Sequence, residues 1–338
     1  METKKNFLIK LNIKDIYFLL IMEEKTNEQK GQELIDVDDK GKAVEQKEQK
    51  KPKEGSETFT HVLAVFLFLV LLGLFLKIFI FNKNVEKTNV YHKLKTQEDM
   101  NRNVGEYIIR YIKEKSNARI GLVYGSTPAG LYQYLIHKYE KGEISFKNVQ
   151  FFSIDGFCGL SKSDPNSYHY ALTNIFLSKI DAQEKNIHLI KEEGANLEEY
   201  KKNAEEYNKL LQEKPIDLQI LSFGENGHIG FNEPYSDFNL LTHVVKLSEE
   251  KRKEKSKIFG SLDKTPEYSI TQGVKSILQA KEVIAIAAGK SKAKAVNDLV
   301  NGVYTKKSPI TALKNHPKFT LYTDEEAGSM IKEFNKKF

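Results

Sequence analysis

The chain has 338 residues, enough for one large domain or two small ones, and 40% of them are apolar, which supports a substantial core. Its net charge of +6 rests on lysine, with only four arginines, Arg102, Arg110, Arg119 and Arg252. Without an arginine stripe or a basic–aromatic platform the composition argues against nucleic-acid binding, while the lysine excess suits an anionic metabolite. The single cysteine, Cys158, excludes a disulfide within the chain.

Residues 1–22 carry one short apolar patch, Ile16–Met22, too short to cross a bilayer. Residues 23–58 are dense in charges of both signs and almost free of aromatics, so the reading for 1–58 is a disordered charged tail. The run VLAVFLFLVLLGLFLKIFIF, Val62–Phe81, holds one charge, Lys77, near its end. A helix of that length crosses about 30 Å of hydrocarbon, and Lys77 can snorkel to the interface. The expectation is a single-pass transmembrane helix over 59–82, with the membrane as a partner through that segment. Lysines on both flanks leave the direction undecided by charge.

From about residue 88 strands alternate with helices. The predicted elements are a strand at 118–124, a helix from Pro128 to about Tyr139, and a strand at 149–154. A helix follows over 196–212, apolar at 197, 200, 204, 207, 210 and 211. Strands at 216–223 and 282–289 and a helix at 290–302, closed by Gly302, complete the pattern. Such alternation predicts an α/β fold, a doubly wound and mostly parallel sheet with helices on both faces. Ligands then sit at the carboxyl ends of the strands.

The chemistry-bearing residues fall at those ends. In YGSTPAGLYQYL, Ser126 and Thr127 open a helix whose free N–H groups and dipole fit a phosphate; the turn is equally a plain helix cap. Pro128 suits the first helical position. Lys292, in GKSKAKA, adds a point charge or is one of three solvated lysines. In FGENGHIGFNEP, Gly224 and Gly227 allow a tight backbone path. His228 is suited to moving protons, with Glu233 placed to orient it. Neither an H-E-x-x-H spacing nor a cysteine cluster is present, so no metal is expected. Asp155 emerges from the apolar run FFSI and can act as a base if burial raises its pKa. Tyr168 and His169, in DPNSYHY, are substrate-lining candidates or structural residues.

Taken together, these motifs over about residues 88–330 resemble the glucosamine-6-phosphate deaminase (isomerase) family, in the order GSTPAGLYQYL, IDGFCGLSKSDPNSYHY, IDLQILSFGENGHIGFNEP, LTHVVKLSE, GKSKAKAV, TDEEA. The related 6-phosphogluconolactonases share a GSTP-like turn but lack SYHY and continue differently after the glycine–histidine pair. The resemblance implies conversion of glucosamine 6-phosphate and water to fructose 6-phosphate and ammonia, with no cofactor. It implies that His228 opens the ring, with Glu233 and Asn226 around it. Asp155 would shuttle a proton between C2 and C1 through an enol. Ser126, Thr127 and Lys292 would hold the phosphate, and Tyr168 would lie near the lid.

Several positions depart from the family pattern. Asn226 stands where many members have aspartate, as in one branch read as non-allosteric. Asp155 is followed by Gly156 and Phe157 rather than glutamate and tyrosine, which removes a carboxylate and a hydroxyl beside the base. Lys257, in KEKSKIF, aligns with a phosphate-binding arginine; the charge survives but not the bidentate fork. The expected organisation is therefore the tail, the span, and a deaminase domain over 88–338. The domain is placed on the cytoplasmic face, because the implied substrate belongs to cytosolic metabolism. A homo-oligomer is compatible with the family. An impaired, membrane-tethered sugar-phosphate sensor is the competing reading, resting on Gly156, Phe157, Lys257 and the anchor. Lactone hydrolysis is disfavoured by the histidine motif.

Overall fold

The computed structural model describes residue 63, residues 65–74 and residues 87–338. The chain divides into two units, Met1–Ile78 and Phe79–Phe338. In the first, residues 65–74 are helical. Among the described residues no helix is long and apolar enough to cross a membrane. On that finding the expected membrane partner and the placement of the domain on a membrane face are withdrawn; residues 59–62, 64 and 75–82 of the span expected over 59–82 lie outside the described residues. The charged tail, 1–58, lies outside the described residues.

Elements of the second unit are numbered in chain order. The main sheet contains β1 (Thr88–Lys93), β2 (Arg119–Leu122), β3 (Gln150–Ser153), β5 (Ile187–His188), β6 (Leu218–Ser222), β9 (Glu282–Ala287), β10 (Lys318–Thr323) and β11 (Asn335–Lys337). Their order is β11-β1-β10-β9-β6-β2-β3-β5, parallel throughout except for β11. Every residue of β2 and of β9 is buried, so both faces of the sheet are covered, as a parallel sheet requires. The expected doubly wound α/β architecture is present.

The helices are α1 (Gln97–Glu114), α2 (Ser126–Glu140), α3 (Tyr168–Ile175), α4 (Leu197–Glu213), α5 (Glu249–Phe259), α6 (Val274–Leu278) and α7 (Ala293–Val300). Helix α1, absent from the sequence prediction, starts where the Thr96 hydroxyl accepts the Asp99 N–H. It buries Met100, Val104, Ile108, Ile109 and Ile112 along one stripe. Helix α2 begins at Ser126 rather than Pro128, and the 290–302 helix resolves into a 3₁₀ turn, Lys290–Lys292, followed by α7.

A second sheet was not foreseen. It is antiparallel, in the order β4 (Asp155–Phe157), β8 (Tyr268–Thr271), β7 (His243–Lys246). After β3 the chain keeps its ladder for one more bond, Ile154 N–H to Leu122 carbonyl at 3.1 Å. It then leaves the main sheet, so that Asp155 opens β4. The corner is pinned at Ser153, whose carbonyl accepts from the Tyr207 hydroxyl (2.7 Å) and from Gln272 Nε2 (2.9 Å).

Successive strands run from β2 to β3 in one direction and from β6 to β9 in the other. The topology therefore reverses between β2 and β6, the switch point where such sheets bind ligands. Beneath it lies an aromatic core. The Phe176 ring stacks on Tyr132 at 4.9 Å and meets Phe146 and Phe151 edge-on at 5.7 and 5.8 Å. Phe176→Ala would leave a cavity against three rings, and denaturant unfolding should read a loss of about 3–5 kcal/mol.

Candidate active site

A cavity of about 630 Å³ opens at the carboxyl ends of β2, β3, β6 and β9. Asp155, Tyr168, Asn226, His228, Glu233, Ser126, Thr127 and Lys292 all line it. The sequence assigned these residues to one site from separate motifs, and the sheet topology brings them together.

Helix α2 follows β2 directly, and Gly125, at its N-cap, supplies no side-chain cap. The first N–H groups of α2, at Ser126 and Thr127, therefore face the cavity unclaimed by a capping side chain. On the next strand but one, the turn after β9 presents Lys292, half-buried, its ammonium pKa lowered by burial. That turn is fixed by Asp324 of the TDEEA motif, whose carboxylate accepts the Gly289 N–H at 3.0 Å and the Ala327 N–H at 2.8 Å. Lys290 and Lys294 do not reach the cavity; Lys294 pairs with Asp298 at 2.7 Å.

The loop after β6 builds a relay of polar groups. Asn226 Nδ2 donates to Glu233 Oε2 at 3.0 Å, which fixes the amide orientation. Its Oδ1 then accepts from the backbone N–H of His228 (3.1 Å) and from His228 Nδ1 (2.7 Å). The Nδ1 nitrogen therefore carries the hydrogen, and Nε2 keeps its lone pair. Glu233 Oε1 lies 3.8 Å from His228 Nδ1 and forms an ion pair with Lys251 Nζ at 2.9 Å. Burial lowers the His228 pKa to about 4, with the nearby lysines adding to the effect and Glu233 opposing it. Burial alone would raise Glu233, but His228, Lys251 and Asn226 together hold it below its usual value. The imidazole is thus neutral and the carboxylate ionised at neutral pH.

Gly227 adopts φ +81° in this turn, a conformation that favours glycine. Gly224 is required for a different reason. A Cβ there would lie 2.0 Å from His228 Cε1 and 2.1 Å from Nδ1, so the ring packs flat over bare backbone.

Asp155 is buried, and its pKa is pushed up to about 8 by burial first, then by the charge of Glu192, with Lys255 opposing. The structure answers the loss expected at Gly156. The second carboxylate comes from elsewhere in the chain, because Glu192 packs behind Gly156. Sequence reasoning missed Glu192, since no local signal ties it to a residue 37 positions earlier. Tyr168 starts α3 and packs on Tyr124 (4.8 Å) and Phe157 (5.1 Å), so Phe157 lies among the site's apolar contacts. His169 does not line the cavity.

Lys257 needs correction. It is exposed and lies off the cavity, whereas Lys251, Glu254, Lys255 and Ile258 of α5 line it. Those four recur at three- and four-residue intervals, one helical face; Lys257, two positions past Lys255, points about 200° away. That interval was the signal in the sequence, and motif alignment alone overlooked it. The Glu254 carboxylate pairs with Lys251 and Lys255, both at 3.0 Å. Among the described residues no group of three metal-ligating side chains is present.

Residues 93–321 match the family described as glucosamine-6-phosphate isomerases/6-phosphogluconolactonase. The chain is 41% identical over 234 residues to a glucosamine-6-phosphate deaminase of Thermoanaerobacter pseudethanolicus, covering 69% of this chain and 92% of that protein. It is 36% identical over 236 residues to glucosamine-6-phosphate deaminase 1 of Bacillus subtilis, covering 70% and 96%. Among solved structures, a monomeric glucosamine-6-phosphate deaminase of the NagB superfamily superposes with a TM-score of 0.67 at 35% identity, covering 71% of this chain and 99% of that one. The 6-phosphogluconolactonase of Trypanosoma brucei, at 18% identity and a TM-score of 0.59, shares the fold.

Gly224→Ala tests the packing of the histidine. The methyl would displace the ring while leaving the sheet intact. Turnover should fall by roughly 10²-fold with an unchanged circular-dichroism spectrum, and unchanged turnover would refute the tight ring placement.

Proposed function

We infer that this chain, which belongs to the glucosamine-6-phosphate isomerase/6-phosphogluconolactonase family, converts glucosamine 6-phosphate and water to fructose 6-phosphate and ammonia. The observation that carries the assignment of roles is a pair of titratable groups, Asp155 and His228, held in one cavity and driven in opposite directions. Groups pushed apart in this way divide acid from base work.

The phosphate docks at the N-terminus of α2, on the Ser126 and Thr127 N–H and hydroxyl groups, with Lys292 and Lys255 as counter-charges. Lys255 takes the part expected of Lys257. His228 Nε2, unprotonated and free, takes the proton of the C1 hydroxyl and delivers it to the pyranose ring oxygen as the C1–O5 bond breaks and the C1 aldehyde forms. Asn226 and Glu233 hold the tautomer and stabilise the imidazolium that forms in transit. In the open chain Asp155, as carboxylate, removes the C2 proton. The electron pair forms a C1=C2 double bond, and the aldehyde oxygen gains a proton. Asp155 then returns its proton to C1 while the nitrogen lone pair closes a C2=N bond. Water adds at C2 and ammonia departs. One base serves both carbons because they are adjacent. Tyr168 and Tyr124 wall the cavity beside the base. No metal or organic cofactor is needed for any of these steps.

Incubating the full chain with glucosamine 6-phosphate should release ammonia and fructose 6-phosphate one for one. Saturable binding without product would refute the activity. Asp155→Asn should lower kcat by about 10²–10⁴-fold with little change in substrate affinity. The same variant should be more stable. The carboxyl keeps its proton in the folded chain up to about pH 8 but loses it near pH 3.8 when unfolded. The native state therefore binds the extra proton across that window, and its stability falls as pH rises through it. Thermal melts should show Asp155→Asn above wild type by a margin that grows from pH 5 to pH 8.

The phosphate assignment separates two neighbouring lysines. Lys255→Ala should raise KM about 10- to 100-fold, whereas Lys257→Ala should leave it near wild type. The reverse ranking would restore Lys257.

A further inference from the structure

Behind Asp155 lies a second carboxyl group that the proton-transfer scheme leaves without a task. Glu192 is 3% exposed and follows β5 in the chain. Its Oε2 accepts the backbone N–H of Phe157 at 3.0 Å and of Tyr168 at 3.3 Å, and its Oε1 accepts that of His169 at 2.7 Å. These donors belong to two segments, the end of β4 and the first turn of α3. One side chain therefore ties together the strand that carries Asp155 and the helix that carries Tyr168.

The space for it is made at Gly156, the residue after Asp155. A Cβ at that position would lie 2.6 Å from Glu192 Cγ and 2.7 Å from Cδ. Gly156 has no left-handed φ, so its backbone would accept other residues; the stem of Glu192 is what excludes them. Bare backbone at 156 and a carboxylate at 192 are two halves of one arrangement.

We propose that Glu192 is a positioning residue of the reaction, clasping β4 to α3 and setting a negative charge behind Asp155 that strengthens it as a base. This rests on Asp155 being the base. Around Asp155 the charged and titratable neighbours are Glu192, Lys255 of α5 and Tyr168 of α3. Around Glu192 they are Asp155, Tyr168, Cys158 and Asp164. Burial raises Glu192 itself to about 7 against the pull of its three N–H donors. Two carboxyls in one dry space do not ionise together easily, so the proton is held more tightly by both. A carboxylate with a raised pKa is a better match for a weakly acidic C–H.

Glu192→Gln keeps the shape and removes the charge. The acid limb of its kcat/KM profile should move to lower pH and its kcat plateau should fall, with KM unchanged. A scaffold without an electrostatic part would leave that limb where it is, and an unmoved limb overturns the proposal. Asp155→Asn is measured alongside. Turnover that survives there refutes Asp155 as the base. Turnover lost there, with an unmoved limb in Glu192→Gln, refutes only the role of Glu192. Where Glu192→Gln does not fold, Gly156→Ala decides, because its methyl overlaps the Glu192 stem and should lower kcat. Shortening the acid in the pair Gly156→Ala/Glu192→Asp makes room for the methyl and should recover turnover about tenfold. Wild-type kcat in Gly156→Ala, or no recovery in the pair, overturns the proposal.

Discussion

A carboxyl group taken out of water has to be neutral, paired or surrounded by dipoles, and Asp155 meets that condition only in part. Lys255 is its one favourable charge, and Glu192 works against it. The architecture around it supplies rigidity instead. Ser153, two residues earlier, is held at its carbonyl by Tyr207 and Gln272 and at its hydroxyl by the Ile190 N–H at 2.8 Å. The small antiparallel sheet then grips Asp155 itself, opposite Thr271. A group held where it is uncomfortable destabilises the fold and gains basicity, the exchange expected at a proton-transfer site.

The histidine side of the cavity follows the opposite logic. There the buried polar groups are connected in series, from Lys251 through Glu233 and Asn226 to His228. Each member fixes the next, so the relay specifies one tautomer instead of two. Helix α5 supplies the lysine that ends the relay and also Lys255 beside Asp155. One helix face therefore serves both halves of the site, and a shift of α5 would be felt by both.

In the proposed reading that face holds the phosphate with lysines and no forked guanidinium. A lysine is a point charge on a flexible stem and recognises by position more than by angle. The cavity gathers Lys251, Lys255 and Lys292 where a single bidentate contact is lacking. This arrangement accords with a chain that is rich in lysine throughout and carries only four arginines.

The sequence by itself determined the α/β alternation, the strands that end at Asp155 and before Gly224, and the membership of Ser126, Thr127, Asn226, His228, Glu233 and Lys292 in one site. The strands and turns were legible because hydrophobic runs and glycine turns are local, and the site because ligands in parallel sheets fall at strand ends and because the motifs together resemble one family, which alone pointed to Asn226. An apolar run also pointed to a membrane span, and among the described residues no helix is long and apolar enough to cross a membrane. Tertiary structure alone decided the rest. The antiparallel sheet joins β4 to strands β7 and β8, more than 80 residues further along the chain. That Lys255 lines the cavity and Lys257 does not depends on which face of α5 turns inward. Glu192 became a neighbour of Asp155 only when Gly156 left room for it, a pairing set by packing in three dimensions with no trace in either residue's local pattern.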